Sequence, residues 1–256
     1  MPDTPPSPTL MDILGSFGPV EAQPLTRIQA FTVKAMTRNW TTIPHVTHFD
    51  EMDVTEMEVV RKAYNKTASL SLTPTAFIVK AVASTLRRLP RFNAALEAAE
   101  NRIVLRQYVN IGLAIDTPAG LVVGVIRGCD EKSVEQIGAE AGELAHKART
   151  KGLTLSEMSG GGFTVSALGP LGGTGFTPII NAPEVGILGV SRIRAAPART
   201  SDGELVWRFV APLSLSYDHR AVNGADAGRF MQTLQEETDA LIAAFAAAPR
   251  EPPGQD

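Results

Sequence analysis

Four histidines, one cysteine and two glycine-rich stretches are where this 256-residue chain could do chemistry. His219 closes an alternating run, Pro212-Leu-Ser-Leu-Ser-Tyr-Asp-His-Arg, just before an Asn223-Gly224 turn and a long helical pattern. A strand end that opens into a loop is where a rigid scaffold presents a reactive group, and imidazole is the common general base near neutral pH. A polar strand end with no chemical part is the plain alternative. His45 and His48 stand three apart in a strand pattern, so they point to opposite faces and oppose joint metal ligation. No Cys or third His is near them, so packing or surface roles are expected and no metal site. His146 lies among Glu143, Lys147 and Arg149 and reads as a solvated helix residue. Cys129 is the single cysteine; no internal disulfide can form, and a structural thiol is expected. Ser159-Gly-Gly-Gly162 and Leu168-Gly-Pro-Leu-Gly-Gly-Thr-Gly175 flank the run Phe163-Thr-Val-Ser. Glycines there permit close backbone approach to a ligand, or simply make turns. Neither stretch ends as a phosphate-binding loop does, and neither carries the spaced glycine triplet of dinucleotide folds.

The elements that must hold these residues alternate in type. Leu25 to Asn39 reads as a helix with Ile28, Phe31 and Ala35 on one stripe. His45 to Asp53 reads as a strand, after which Asp53 and Glu56 form a capping box for a second helix. Thr73-Pro74 opens a third helix, carrying Phe77, Val79, Val82 and Leu86. Residues 103–126 read as two or three strands around a Thr117-Pro-Ala-Gly120 turn. Ser133 with Gln136 caps a helix to about Lys151, and Thr154 with Glu157 starts a short one. Strands follow at Phe163, over Glu184–Ile193 and over Trp207–Tyr217, then a helix from Ala225 to Phe245. The sum is α plus β with a mixed sheet.

Composition bounds the rest. Lys plus Arg number 24 against 27 Asp plus Glu, a net charge of −3, which supplies no general basic field for nucleic acid. No apolar run approaches the roughly 18 residues of a membrane span, so no membrane partner is expected. The first ten residues lack the pattern of a signal peptide, and a cytoplasmic protein is expected. Residues 1–20 read as a Pro-rich linker or arm, 21–247 as one domain and 248–256 as a polar tail.

Taken together, the motifs have a family likeness. DHRAVNGADAGRF resembles the active-site segment of the dihydrolipoyl acyltransferase catalytic domain of 2-oxo acid dehydrogenase complexes. RIQAFTVKAMTRNWTTIPHVTHFDEMDVTEME, LTPTAFIVKAVASTL, YVNIGLAIDTPAGLVV, GGGFTVSALG and FTPIINAPEVGILGVSR resemble the same family in the same order, over residues 20–245. The resemblance implies a chloramphenicol acetyltransferase-like fold and transfer of an acyl group between dihydrolipoamide and coenzyme A. It implies His219 as the base, Ser166 as the hydroxyl that stabilises the oxyanion, and Asn223 where most members have Asp. Gly162, Thr174 and Asn181 are then expected to line the substrate site. Arg27 is expected there too, or near the His219 loop, or as a plain surface arginine.

The resemblance also implies a homotrimer with sites shared between subunits. Partners would be a 2-oxo acid dehydrogenase and a dihydrolipoamide dehydrogenase, with the lipoyl group on a separate domain or chain. A mitochondrial matrix location holds if the source is eukaryotic. IPHVTHFD and Asn223 look most like the acetyl-transferring, pyruvate-complex branch. The tail PREPPGQD lacks the apolar anchor with which cage-forming members dock, so a trimer is expected. A free coenzyme A-dependent acyltransferase and a non-catalytic trimeric scaffold are the alternatives.

Overall fold

Phe163, Phe92 and Phe230 meet at the centre of the molecule, with ring centroids 4.7 Å apart for Phe92–Phe230 and 5.6 Å for Phe163–Phe230. They come from a strand, a turn and the last helix, and each is buried. A computed structural model describes residues 7–248 and shows what converges there. The Pro-rich start, residues 1–6, and the tail from 249 onward lie outside the described residues.

Among the described residues the α-helices are α1 (Leu10–Gly15), α2 (Arg27–Thr42), α3 (Thr55–Tyr64), α4 (Pro74–Arg88), α5 (Val134–Thr150), α6 (Leu155–Met158) and α7 (Gly224–Ala247). The strands are β1 (His45–Asp53), β2 (Ala94–Glu97), β3 (Arg102–Leu105), β4 (Ile111–Ile115), β5 (Val122–Ile126), β6 (Phe163–Ala167), β7 (Gly186–Val190), β8 (Arg194–Arg199) and β9 (Leu205–Asp218). The main sheet runs β1-β9-β7-β6-β4-β5, with β8 pairing the first half of β9 and β2-β3 forming a separate hairpin. β4, β6 and β7 are parallel neighbours; the other pairings are antiparallel. This is the mixed α/β architecture expected from the alternating signals.

Period-two patterning splits the sheet into two unlike faces. Phe163 and Val165, Leu188 and Val190, and Leu213, Leu215 and Tyr217 turn to the core with α4 and α7. Thr164 and Ser166, Gly189, Ser214 and Ser216 turn the other way. Phe77, Val79, Val82 and Leu86 on α4 are all buried, as their helical spacing predicts.

Local signals set most boundaries. Capping boxes at Thr26–Gln29, Ser133–Gln136 and Thr154–Glu157 open α2, α5 and α6. The box expected at Asp53–Glu56 does not form. The cap of α3 is Val54 with no side-chain bond, and Asp53 Oδ1 instead accepts from the Thr55 N–H at 2.9 Å and the Thr55 hydroxyl at 2.6 Å. Glu56 is thereby left outside the turn that Asp53 closes. The linker-like arm also contains α1, closed by a Thr9–Asp12 box with no buried residue. β8 carries Pro197 at the sheet edge, where a missing N–H is tolerated, and has no alternation to reveal it. A Cβ at Gly124 would lie 3.1 Å from Leu153 and 3.3 Å from Ile115, so glycine there allows close packing.

Phe230→Ala should cost about 3–5 kcal/mol, because it empties the contact between three buried aromatic rings. Urea unfolding of the two proteins tests this; a loss under about 1 kcal/mol would mean the rings do not form the centre of the core.

Candidate active site

His219 is the first residue past β9, and short bonds hold it on both sides. Its N–H donates to the Pro44 carbonyl at 3.0 Å. The preceding Asp218 N–H donates to Val185 O at 2.9 Å, and Asp218 O accepts from both Ala221 and Val222. The Asp218 carboxylate is buried and receives Arg220 Nε at 2.9 Å and Nη2 at 2.7 Å. Asp218 and Arg220 therefore neutralise each other around His219, whose ring stands exposed, 5.8 Å from the Tyr217 ring.

Asn223 is not a free turn residue but the N-cap of α7. Its Oδ1 accepts from the Asp226 N–H at 3.0 Å, and Asp226 Oδ2 accepts from the Asn223 N–H at 3.2 Å. The cap fixes the exit of the His219 loop onto a 24-residue helix. Aspartate caps as well as asparagine, so asparagine keeps the cap while leaving no carboxylate at this position.

Ser166 lies on β6, half-buried, on the face opposite the aromatic core. Its register partner is Gly189 on β7, and Gly189 pairs in turn with Ser214 on β9. The segment from Thr174 to Glu184 crosses over this face. A Cβ on Gly189 would lie 2.6 Å from the Phe176 ring, so only glycine admits the ring there. Phe176 N–H donates to Ser214 Oγ at 3.3 Å, and Thr47 and Ser216 share a hydroxyl–hydroxyl bond of 2.8 Å.

The ladder separates the two candidate catalytic groups. Ser166 is level with Ser214, five residues before His219, and two strand spacings away. At about 3.3 Å per residue and about 4.8 Å per strand, their Cα atoms lie roughly 19 Å apart. Within one chain they cannot act on the same carbonyl.

The remaining candidates disperse. Thr174 is exposed and Asn181 half-buried, both on the crossover that covers the Ser166 face. Gly162 is buried, and a Cβ there would lie 2.3 Å from Asn93 Oδ1; its local role is close packing. Arg27 is exposed at the start of the 16-residue α2, whereas Pro44, which holds His219, follows the end of that helix. Arg27 thus lies roughly 22 Å along the helix axis from that loop in its own chain. His45 donates from Nδ1 to Ile43 O at 2.8 Å and accepts at Nε2 from the Ile180 N–H at 2.9 Å, which commits both ring nitrogens to packing. His146 is exposed on α5. Cys129 is buried, its thiol donates to Ile126 O at 3.2 Å, and burial pushes its pKa up to about 11, so it stays a thiol.

Sequence reasoning passed over Glu184. It is buried, accepts from the Thr164 hydroxyl at 2.7 Å, and burial pushes its pKa up to about 8. The signal was a charged residue at the head of an otherwise apolar strand, Glu184-Val-Gly-Ile-Leu-Gly-Val.

Asn223→Ala should cost about 1 kcal/mol in urea unfolding and Asn223→Asp only a few tenths, as expected for loss and retention of an N-cap. Equal destabilisation by both would refute the capping role.

Comparison with known proteins places this geometry. The profile of the 2-oxoacid dehydrogenases acyltransferase catalytic domain matches residues 17–244. The dihydrolipoyllysine-residue acetyltransferase component of the pyruvate dehydrogenase complex of Pseudomonas aeruginosa is 48% identical over 224 residues, covering 86% of this chain. This chain spans 41% of that protein's length. The solved dihydrolipoamide acetyltransferase of Azotobacter vinelandii superposes with a TM-score of 0.86 at 43% identity, covering 95% of this chain and 99% of that one. That structure was determined to establish the roles of a serine, a histidine and an asparagine in its catalytic mechanism. The cubic core of a pyruvate dehydrogenase multienzyme complex also superposes at 0.86, with 44% identity over 94% of this chain and 99% of that one. Chloramphenicol acetyltransferase, 14% identical with a TM-score of 0.54 over 79% of this chain and 94% of that one, shares the fold.

Proposed function

The chain belongs to the 2-oxoacid dehydrogenase acyltransferase family, as its catalytic domain, and on that premise we propose that it exchanges an acetyl thioester between dihydrolipoamide and coenzyme A. We assign the catalytic roles to Ser166, His219 and Asn223, the same three residue types whose roles the Azotobacter structure was determined to investigate.

The chemistry needs few groups. A free thiol has a pKa of about 8.5 and is mostly protonated at neutral pH. The neutral His219 imidazole takes the thiol proton as the sulfur attacks the acyl carbonyl. A carbon–sulfur bond forms and the carbonyl oxygen becomes an oxyanion, which accepts a hydrogen bond from the Ser166 hydroxyl. Collapse breaks the bond to the departing sulfur, and His219 returns the proton to it. Ser166 forms no covalent intermediate. Asn223 acts by fixing the loop, and Thr174 and Asn181 line the approach to Ser166. Arg27 lies away from the His219 loop of its own chain, and Gly162 packs against Asn93.

One observation carries the assembly: the separation of roughly 19 Å between Ser166 and His219 in one chain. A working site takes Ser166 from one copy and His219 from a neighbour, which a closed ring of three provides. Exposed apolar surface on α2 and just past α1 supports this, with Phe31 73% and Phe17 86% exposed. In this reading the trimer forms the core of a pyruvate dehydrogenase-type complex in the bacterial cytoplasm. The 2-oxo acid dehydrogenase and dihydrolipoamide dehydrogenase components are its partners, and the lipoyl group arrives on a separate domain or chain.

Purified protein should transfer acetyl from acetyl-CoA to dihydrolipoamide. His219→Ala should lose at least about 100-fold in kcat and Ser166→Ala a similar factor. Co-expressing the two inactive variants should restore about one quarter of wild-type activity, because random mixing gives that share of interfaces both intact groups. No transfer by the folded wild type would overturn the reaction. No recovery in mixed assemblies would overturn the shared site.

A further inference from the structure

Glu184 is the buried ionisable group at the site that the proposed reaction does not use. Its carboxyl stands where three elements meet. Thr164, on the same face of β6 as Ser166 and two residues before it, donates to Oε2 at 2.7 Å. On the crossover, Asn181 O accepts from the Glu184 N–H at 3.1 Å, and the Asn181 side chain acts weakly to lower the carboxyl pKa. The next carbonyl along, that of Val185, accepts from Asp218, the neighbour of His219.

We propose that Glu184 is a positioning residue, whose carboxyl clamps the Thr174–Glu184 crossover onto β6 and so holds the Ser166 hydroxyl and its cover in one geometry. The proposal deepens the acyltransfer reading and rests on Ser166 as the oxyanion donor.

The clamp has a pH limit built into it. Burial raises the Glu184 pKa to about 8, against smaller lowering effects from Thr164, Arg106 and Asn181. Arg106 is the one charged group acting on it among the described residues, and Arg106 also donates to Ala94 O. Arg127 lies against Gly160 but gives its Nη2 to the Ser156 and Ser159 carbonyls at 2.8 and 2.9 Å. On β9, Asp218 is paired to Arg220. Below about 8 the carboxyl is a neutral acid; above it, a carboxylate with 4% exposure must be carried in the fold. The sign follows from proton binding. Between the ordinary 4.5 and about 8 the folded chain keeps a proton that the unfolded chain has lost. The stability it contributes is complete below 4.5 and is lost as pH rises through that window.

The test compares wild type with Glu184→Gln, Glu184→Ala and Thr164→Val, measuring kcat, KM and thermal midpoint from about pH 6 to about pH 9.5. In wild type, kcat should fall above about pH 8 with KM for both substrates steady, and Glu184→Gln should lack that limb, since an amide still accepts from Thr164 but cannot ionise. Glu184→Ala should lose about 10-fold or more in kcat, with Glu184→Gln recovering most of it. Thr164→Val removes a donor that favours the carboxylate, so the alkaline limb should move to higher pH. The midpoint of Glu184→Gln relative to wild type should climb as pH rises, a readout that needs no acyl transfer. Identical alkaline limbs in wild type and Glu184→Gln, or unchanged kcat in Glu184→Ala, overturn the positioning role while leaving the acyltransfer reading intact. Absence of transfer in wild type overturns both, and the midpoint series then still reports whether Glu184 titrates as a buried acid.

Discussion

The backbone register across β6, β7 and β9 governs this molecule. Gly189 pairs on one side with Ser166 and on the other with Ser214, and these pairings set every distance on the sheet. A one-residue slip would turn the core face of a strand outward, so the register is held by the whole apolar face and not by any single bond. Bringing Ser166 to His219 inside one chain would mean sliding strands by about five residues, against ladder bonds of about 1 kcal/mol each and the burial of the aromatic centre. Meeting a second copy needs none of that. In the proposed function the chain carries two half-sites on this frame.

Each half is organised by different physics. Around His219 the work is electrostatic and local. The Asp218 carboxylate is buried and satisfied by Arg220, so the charges beside the imidazole cancel and the ring projects from a loop that has little freedom left. Backbone bonds to Pro44 and Val185 tie that loop to two separate segments, and the Asn223 cap ties it to α7. Such pre-ordering lowers the entropy lost when reactants are aligned.

Around Ser166 the space between the sheet and its crossover is mixed. Hydroxyls of Thr47, Ser214 and Ser216 find partners on the β9 side, Ile187 packs with Ile180 and Ile43 between them and Thr164, and Glu184 meets Thr164 as a buried acid. Burying a carboxyl is costly, and this one answers with a proton and not with a salt bridge. A leucine in its place would leave the buried Thr164 hydroxyl without its acceptor, which is why a polar group there serves the site better than an apolar one.

Periodicity and capping chemistry were legible in the residues themselves. The α4 stripe, the boxes at Ser133 and Thr154 and the alternating run to Tyr217 act over one to four positions, and those are the ranges at which a sequence can be read directly. The family motifs around His219 and Ser166 were legible for the same reason. β8 went unseen because Arg194-Ala-Ala-Pro-Ala-Arg has no alternation and becomes a strand only by pairing with β9. The role of Asn223 as a cap, the distance of Arg27 from the His219 loop of its own chain, the packing use of Gly162 and the burial of Glu184 all belong to the tertiary structure. Each depends on contacts between segments far apart in the chain, and the neighbours in sequence carry no record of which distant atom fills the space or takes the hydrogen bond.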